Sequence, residues 1–278
     1  MKSTGDDQAE NPVAGASGTP MIALRKLTKA FGSKIALRGI DLDVAPGESL
    51  AIFGPNGAGK TTLIRILCSL SRPTSGSVQI GGLALSTHAE GIRRHLGVVS
   101  HAPLLYDSLT AEENLRFFAR LYNLPHAGAR IMAMLERVGL AGRRGDLVRT
   151  FSRGMVQRLA IARALIHDPE VLLLDEPDTG LDPQAAEMLH RLLAELSGGE
   201  DRGPAAPPES SDAMRSSRGA GATARTIVMV THHLERGLAM ADRAVILANG
   251  RIALDASTRD LGLSELRVLY DRHAGGAR

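Results

Sequence analysis

The sequence predicts an α/β fold whose core is a mainly parallel sheet. Short apolar runs alternate with helical patterns along the chain, and strands that return in parallel need such crossovers. Three runs, SLAIFG, VLLLD and TIVMVT, are almost entirely apolar, which is typical of strands covered on both faces. Residues 21–44 mix polar and apolar side chains instead, so they predict an antiparallel β flank.

The predicted elements follow one another from residue 21 onward. The runs that predict strands are MIALRKL, SLAIFG, SVQIGG, LGVVS, VLLLD, TIVMVT and RAVILA. The helical patterns are TTLIRILCSL, TAEENLRFFARLY, GMVQRLAIARALI and PQAAEMLHRLLAEL. Thr110 and Glu113 form a capping box for the second of these helices, and Asp182 with Pro183 supplies a cap and a first-turn proline to the fourth.

Two segments lack the residues that build a core. Residues 1–19 are small and polar and predict a disordered tail, and residues 198–224 contain no Leu, Ile, Val or aromatic residue. We interpret the second segment as a flexible insertion, with a regulatory or partner-binding role as the alternative. The sequence thus predicts one domain over residues 20–258, followed by a short helical extension over residues 259–278.

Composition excludes several classes of protein. The chain has 278 residues, 44% hydrophobic and 23% charged, and its one cysteine, Cys68, excludes an intramolecular disulfide and is expected to be a buried structural thiol. No apolar run is long enough to cross a bilayer, so we expect a chain without a membrane span of its own. The net charge of +3, with dispersed basic residues, is a weak argument for nucleic acid, and no nucleic-acid partner is expected.

A glycine-rich turn joins the strand SLAIF to the first predicted helix. It satisfies the pattern G-x-x-x-x-G-K-[ST] of a phosphate-binding loop, with a plain glycine turn as the alternative. Glycines let backbone N–H groups surround phosphate oxygens, Lys60 reaches the β and γ phosphates, and the Thr61 hydroxyl can hold Mg²⁺. The candidate nucleotide-binding residues are Gly54, Pro55, Asn56, Gly57, Ala58, Gly59, Lys60, Thr61 and Thr62.

Two successive carboxylates, Asp175 and Glu176, end the strand VLLLD. Because side chains alternate along a strand, Asp175 can hold Mg²⁺ while Glu176 is aimed elsewhere. We expect Glu176 to polarise the water that attacks the γ-phosphate. An isolated Asp-Glu pair would otherwise be a solvated turn.

The run FSRGMVQRLAIARAL lies between these two motifs, and its Ser152 precedes Asp175 by 23 residues. With GPNGAGKTT, VLLLDEP, GLD and VTHH, it resembles the ordered motifs of ATP-binding-cassette (ABC) ATPases, whose signature is usually L-S-G-G-Q. The resemblance covers residues 21–255. It implies a P-loop NTPase with a RecA-like core sheet, a helical subdomain at about residues 102–168, and a head-to-tail dimer of cassettes with two ATP molecules at the interface.

The resemblance also implies roles for single residues. Ser152 and the Gly154 backbone would bind the γ-phosphate of the ATP held by the other cassette, and Asp182 would lie across the interface near the attacking water. His232 resembles the switch histidine that contacts the γ-phosphate. Phe31 matches the aromatic that stacks on adenine, with core packing as the alternative.

Three signature positions and one position beside His232 depart from the family pattern. Phe151, Arg153 and Met155 replace the usual Leu, Gly and Gln. Arg153 would either add positive charge beside the phosphates or project into solvent. His233 stands where an acid is common, and a solvated helix start is its alternative explanation.

His101 closes LGVVSH where ABC cassettes carry the Q-loop glutamine, which meets Mg²⁺ and water and senses the membrane partner. The resemblance therefore makes His101 a candidate catalytic residue and metal ligand, with coupling to the partner as the alternative. We expect His101→Gln to preserve basal ATPase activity. A zinc site with His88 and His95 is disfavoured, because their spacings match no ligand pair and no cysteine supports it.

Four of the eight aromatic residues lie in one short segment after His101. We expect part of this cluster to form the core of a helical lobe and the rest to form a groove for a coupling helix of a transmembrane subunit. The four residues are Tyr106, Phe117, Phe118 and Tyr122.

The predicted function is that of an ATP-hydrolysing, Mg²⁺-dependent subunit at the cytoplasmic face of the membrane, which energises a separate permease as a homodimer or paired cassette. The histidine at the Q-loop, the SRGM signature and LTAEENLRFFARLY resemble exporter ATPases, in particular the haem-exporter branch of cytochrome c maturation. ATPases of drug, polysaccharide and lipid exporters are similar too. The alternatives are a non-transport ABC ATPase acting on ribosomes or DNA, and a nucleotide-binding regulator without turnover.

Overall fold

The computed structural model of the chain describes residues 19–100, 102–179, 181, 183–197 and 224–274. Several predictions fall outside these residues and stay predictions. They concern the N-terminal tail, His101, Asp182 with its helix cap, and nearly all of the insertion predicted at residues 198–224.

The described residues form ten strands and eight α-helices. The strands are β1 (Ile22–Phe31), β2 (Lys34–Val44), β3 (Ser49–Phe53), β4 (Ser75–Ile80), β5 (Leu83–Ala84), β6 (Leu96–Val99), β7 (Val171–Asp175), β8 (Thr226–Val230), β9 (Arg243–Ala248) and β10 (Arg251–Ser257). The helices are α1 (Lys60–Leu67), α2 (Leu85–Arg93), α3 (Ala111–Leu121), α4 (Gly128–Arg137), α5 (Arg153–Leu165), α6 (Pro183–Leu196), α7 (Leu234–Met240) and α8 (Leu263–Ala274).

The larger sheet has six strands in the order β10-β9-β3-β8-β7-β6. Five of them pair in parallel, and β10 pairs antiparallel with β9. All residues of β3 and β8 are buried, as are the first four of β7, so the prediction of strands covered on both faces is confirmed. The carboxyl ends of β3, β7 and β8 therefore meet at one edge, where the predicted motifs begin.

The smaller sheet is antiparallel throughout, in the order β2-β1-β4-β5. It contains residues 22–31 and 34–44, which confirms the antiparallel flank predicted for residues 21–44.

Two apolar clusters cover opposite faces of the larger sheet. Leu172 and Leu174 of β7 belong to the cluster that includes helices α3, α4 and α5, whereas Leu173 belongs to the cluster under the smaller sheet. Cys68 is buried in the second cluster, and burial raises the pKa of its thiol to about 12, as expected for a structural thiol. Leu266 of α8 is fully buried in the first cluster, so the C-terminal helix packs onto the core.

The predicted capping box at the start of α3 is confirmed. The Thr110 hydroxyl accepts a hydrogen bond from the Glu113 N–H at 3.2 Å, and the Glu113 carboxylate accepts one from the Thr110 N–H at 2.8 Å. This box fixes where α3 begins and thus where the preceding loop, which follows β6, must end.

Candidate active site

The loop between β3 and α1 is shaped by glycines at positions where no side chain fits. Gly54 has a φ of +153° and Gly59 a φ of +108°, and a Cβ on Gly54 would collide with the carbonyl oxygen of Leu247. A Cβ on Gly59 would lie 2.6 Å from the Ala36 carbonyl oxygen. Helix α1 starts directly after this loop, with no side-chain cap and no acidic residue in its first turn. The first-turn N–H groups and the helix dipole can therefore bind an anion.

Lys60 lies inside this loop as a buried cation. Its ammonium donates hydrogen bonds to the Gly54 carbonyl at 2.6 Å and to the Pro55 carbonyl at 3.0 Å. Burial lowers the pKa of Lys60, and the nearby charges of Glu176 and Asp175 oppose that change. The lysine is thus placed between the glycine loop and the two carboxylates at the end of β7.

Asp175 is the last residue of β7 and pairs with Val230 of β8. Its charge raises the pKa of Lys60, at the start of α1, and the pKa of Cys68, directly after α1. Thr61, the second residue of α1, is exposed. A hydroxyl and a carboxylate are oxygen donors that fit Mg²⁺, which keeps waters and substrate phosphates as its remaining ligands. Among the described residues there is no group of three or more His, Cys, Asp or Glu that could hold a metal ion.

Glu176 has a backbone conformation that turns it away from the strand. Its φ is +51°, and its N–H donates a hydrogen bond to the Val230 carbonyl at 2.9 Å. The carboxylate accepts a hydrogen bond from the Thr179 hydroxyl at 3.2 Å, and its other oxygen lies 3.3 Å from Nδ1 of His232. The structure therefore brings together the predicted base and the predicted switch histidine, which follow β7 and β8.

The residue after His232 has a contact of its own. His233 precedes α7 without a side-chain cap hydrogen bond, and its ring centroid lies 4.0 Å from that of His232. Its Nε2 is 3.9 Å from Asp178 Oδ2, which Arg236 Nη1 approaches to 3.0 Å. His233 therefore lies over a buried carboxylate, so a solvated helix start does not fully describe it.

Ser152 lies at the start of α5, in the helical part of the molecule. Its hydroxyl accepts a hydrogen bond from the Met155 N–H at 3.3 Å, so Ser152 is the N-cap of α5. Ser152 and Arg153 are exposed, and Gly154 is half-buried. This exposed helix N-terminus can accept an anion from outside the chain, and the structure does not join it to the glycine loop by any hydrogen bond among the described residues.

Phe31 ends β1 and is 55% exposed, which rules out the alternative of core packing. The ammonium of Lys29 lies 4.8 Å from the Phe31 ring centroid. One ring face is therefore in contact with a cation, and the exposed area is suited to stacking on a flat aromatic ligand.

The aromatic cluster divides between surface and core. Tyr106 and Phe117 are exposed, and their ring centroids lie 4.9 Å apart. Phe118 packs against the first apolar cluster, and Tyr122 stacks on His167 at 3.8 Å. This division agrees with the expectation that only part of the cluster belongs to the core.

Sequence reasoning missed one buried polar residue that organises this region. Asn114 is fully buried on α3, and its side chain accepts a hydrogen bond from the Tyr106 N–H and donates to the carbonyls of Tyr106 and Thr110. The signal was available, because Asn114 occupies an inward position of α3 beside Leu115. The hydrogen bonds of the Asn114 side chain fix the turn that carries the exposed Tyr106.

The fold and the geometry at the carboxyl ends of β3, β7 and β8 define a P-loop nucleoside triphosphatase. A family model described as ABC transporter matches residues 37–179, about half of the chain. The chain therefore belongs to the ABC transporter family, as an ATP-binding subunit, and it is an ATPase coupled to transport.

Three similar proteins illustrate this membership. The Nod factor export ATP-binding protein I of Ralstonia nicotianae is 33% identical over 257 residues, which cover 92% of this chain and 73% of that protein. The linearmycin resistance ATP-binding protein of Bacillus subtilis is 32% identical and covers 87% of this chain and 70% of its own length. A solved dimeric ATP-binding cassette in a post-hydrolysis state, bound to ADP and Pi, is 28% identical with a TM-score of 0.72 and covers 86% of this chain and 99% of its own.

None of the helices that the structure describes combines the length and apolarity needed to span a membrane.

Proposed function

We propose that the chain holds the phosphates of ATP in the loop of residues 54–62, with Lys60 as their buried countercharge. The first-turn N–H groups of α1, the α1 dipole and the Lys60 ammonium all favour an anion at this place. Thr61 and Asp175 would hold Mg²⁺, which neutralises charge on the phosphates. Phe31 would stack on the adenine.

Glu176 acts as the base that orients and deprotonates the attacking water, and His232 contacts the γ-phosphate beside it. The observation that carries this proposal is the 3.3 Å distance between Glu176 Oε1 and His232 Nδ1 at the edge of the sheet where the loop of residues 54–62 begins. A base and a polar group on the γ-phosphate side must both reach one water molecule, and the two side chains are already side by side.

The chain functions as a head-to-tail dimer in which Ser152, the Gly154 backbone and Asp182 of one cassette complete the site of the other. The exposed N-terminus of α5 supports this arrangement, because it can accept an anion from outside the chain. The solved dimeric relative supports it too. A transmembrane permease is the second partner, with the exposed Tyr106 and Phe117 as its contact.

Export is the transport direction that the relatives favour. One has Nod factor export in its name and another linearmycin resistance, and neither name mentions haem. The haem-export prediction therefore gains no support, and an exporter of another organic cargo fits these relatives better.

The substitution Glu176→Gln tests the proposed base. We expect ATP turnover to fall about 100-fold or more, because the base is lost, while ATP affinity changes little. The variant should also elute as a dimer in ATP and Mg²⁺ during size-exclusion chromatography. The control is Glu136→Gln, which changes an exposed glutamate of α4 and should leave turnover unchanged. Undiminished turnover in Glu176→Gln would contradict the role of Glu176.

A further inference from the structure

A second set of contacts joins the same two segments that carry Glu176 and His232. We call residues 176–179 the base loop and residues 231–236 the histidine segment. The first contact is the Glu176–His232 pair at 3.3 Å. The second is centred on Asp178, whose Oδ2 lies 3.0 Å from Nη1 of Arg236 and 3.9 Å from Nε2 of His233. The two segments are thus joined at two points along their length.

Because Asp178 is buried, its contact with Arg236 should strongly constrain how the base loop lies against the histidine segment. The Asp178 side chain is only 6% exposed, whereas that of Arg236 is 45% exposed. A buried carboxylate is costly unless a cation or hydrogen-bond donors face it. His190 of α6 also faces the pair: burial lowers its pKa, Arg236 lowers it further and Asp178 raises it. Arg236 is the only permanently charged cation among these neighbours, so the base loop depends on it.

The base loop needs such support because its backbone is held in an unusual conformation. Glu176 has a φ of +51°, in a region that non-glycine residues rarely occupy. Its N–H is bound to the Val230 carbonyl at 2.9 Å, and the Gln157 side chain of α5 donates to the Pro177 carbonyl at 2.9 Å. These bonds fix the start of the loop, whereas the contacts of Asp178 with Arg236 and His233 hold the loop against the histidine segment beyond the Glu176–His232 pair.

We propose that Asp178 and Arg236 are positioning residues for ATP hydrolysis, whose ion pair holds the base loop against the histidine segment and keeps Glu176 beside His232. The proposal rests on the proposed role of Glu176 as the base. Neither Asp178 nor Arg236 is assigned to a contact with ATP. Loss of the pair therefore changes how well Glu176 is aligned and leaves the phosphate-binding loop as it is.

The test compares kcat and KM for ATP in the full-length chain carrying Arg236→Gln, Arg236→Lys or Asp178→Asn. We expect Arg236→Gln to lower kcat about 10-fold with KM changed by less than about 2-fold, because a misaligned base affects the chemical step. Arg236→Lys retains the charge and should recover most of kcat. The control is Arg191→Gln on α6, which changes an exposed arginine that pairs with a surface glutamate.

A double variant separates positioning from a general loss of structure. If the two residues act as a pair, Asp178→Asn with Arg236→Gln should lower kcat no more than the worse single variant does. Three results would each overturn the proposal. They are a fall in kcat of the double variant equal to the product of the two single effects, an unchanged kcat in Arg236→Gln, and a kcat of Arg236→Lys no higher than that of Arg236→Gln. If Asp178→Asn does not fold, the positioning role is tested by comparing kcat of Arg236→Gln with kcat of Arg236→Lys, provided that the two variants have equal melting temperatures. Undiminished turnover in Glu176→Gln would defeat the proposed function itself, whereas failure of the Arg236 series would defeat only the positioning role.

Discussion

Lys60 is a cation that is held in the glycine loop by two carbonyl oxygens and balanced by two carboxylates. Its ammonium donates to Gly54 and Pro55, and the charges of Glu176 and Asp175 raise a pKa that burial lowers. A phosphate group that enters the loop would add a third source of negative charge. The free energy of ATP binding should therefore depend on this ammonium more than on any exposed cation of α1.

The variant Lys60→Ala should bind ATP more weakly, because the phosphates lose their countercharge. Charge-assisted hydrogen bonds of this kind contribute about 1.5–3 kcal/mol, which corresponds to a roughly 10- to 100-fold weaker Kd. Isothermal titration calorimetry with ATP and Mg²⁺ measures the change. Arg65→Ala, at an exposed position of the same helix, is the control. Equal affinity in the two variants would contradict the assignment of the phosphate loop.

Single residues differ in how far the sequence reveals them. Gly54, Gly59 and Lys60 could be predicted because a phosphate loop is a local motif with fixed spacing. The contact between Asp178 and Arg236 could not, because the two residues are 58 positions apart and follow no periodic pattern. For Phe31 the sequence left two explanations, and exposure of the ring excludes one of them.

His167 joins the helical part of the molecule to the large sheet. Its Nε2 is 3.0 Å from the Leu96 carbonyl of β6, and its ring stacks on Tyr122, just after α3, with an angle of 3° between the planes. Burial lowers the pKa of His167 to about 4, although the hydrogen bond to Leu96 opposes this change. The imidazole is therefore neutral in the folded chain at neutral pH.

His167 should make the free energy of unfolding depend on pH. The unfolded chain takes up the proton near the ordinary pKa of 6.5, whereas the folded chain takes it up only near 4. The contribution of His167 is therefore complete above pH 6.5 and is lost as the pH falls from 6.5 to 4, by up to about 3 kcal/mol.

The variant His167→Gln, which retains a hydrogen-bond donor but has no titrating group, should show a flatter dependence over this range. Urea denaturation at pH 7, 5.5 and 4.5 measures the slope, with the exposed His95→Gln as the control. Identical slopes in the wild-type chain and His167→Gln would show that the imidazole does not govern acid stability. Some loss of stability at pH 7 is expected in addition, because the stacking on Tyr122 is lost.

Elements with a clear local signal could be predicted, whereas the order of the strands within each sheet could not. The alternation of apolar runs with helical patterns predicts the strands that build the core of the large sheet, and the capping box predicts where α3 begins. Helices α2, α4 and α7 and strand β10 were missed, because each of them is half-exposed and gives a weaker apolar pattern. Strand β3 lies between β8 and β9, and its residues pair with residues that come nearly 180 positions or more later in the chain. No local pattern encodes contacts of such long range.

Helix α3 connects the core to an exposed apolar surface. Leu115 and Ala119 point into the first apolar cluster, while Phe117 and Leu121 lie one turn apart on the outer side and are exposed. Phe117 also contacts Tyr106, which the buried Asn114 holds in place. A movement of a partner on this surface would therefore act on α3 and on the core behind it.

The exposed surface of Tyr106, Phe117 and Leu121 should be required for binding of the proposed permease and dispensable for basal ATP hydrolysis. Because Phe117 is 40% exposed, Phe117→Ser should fold normally and change basal turnover by less than about 2-fold, yet retain much less of a multi-span membrane protein in a pull-down from solubilised membranes. Mass spectrometry of the bound fraction measures the difference.

Val268→Ser, at an exposed apolar position of α8, is the matched control and should retain the partner. Equal capture by both variants would contradict the role of this surface, and capture of ribosomes or DNA by the wild-type chain would instead favour a non-transport ATPase.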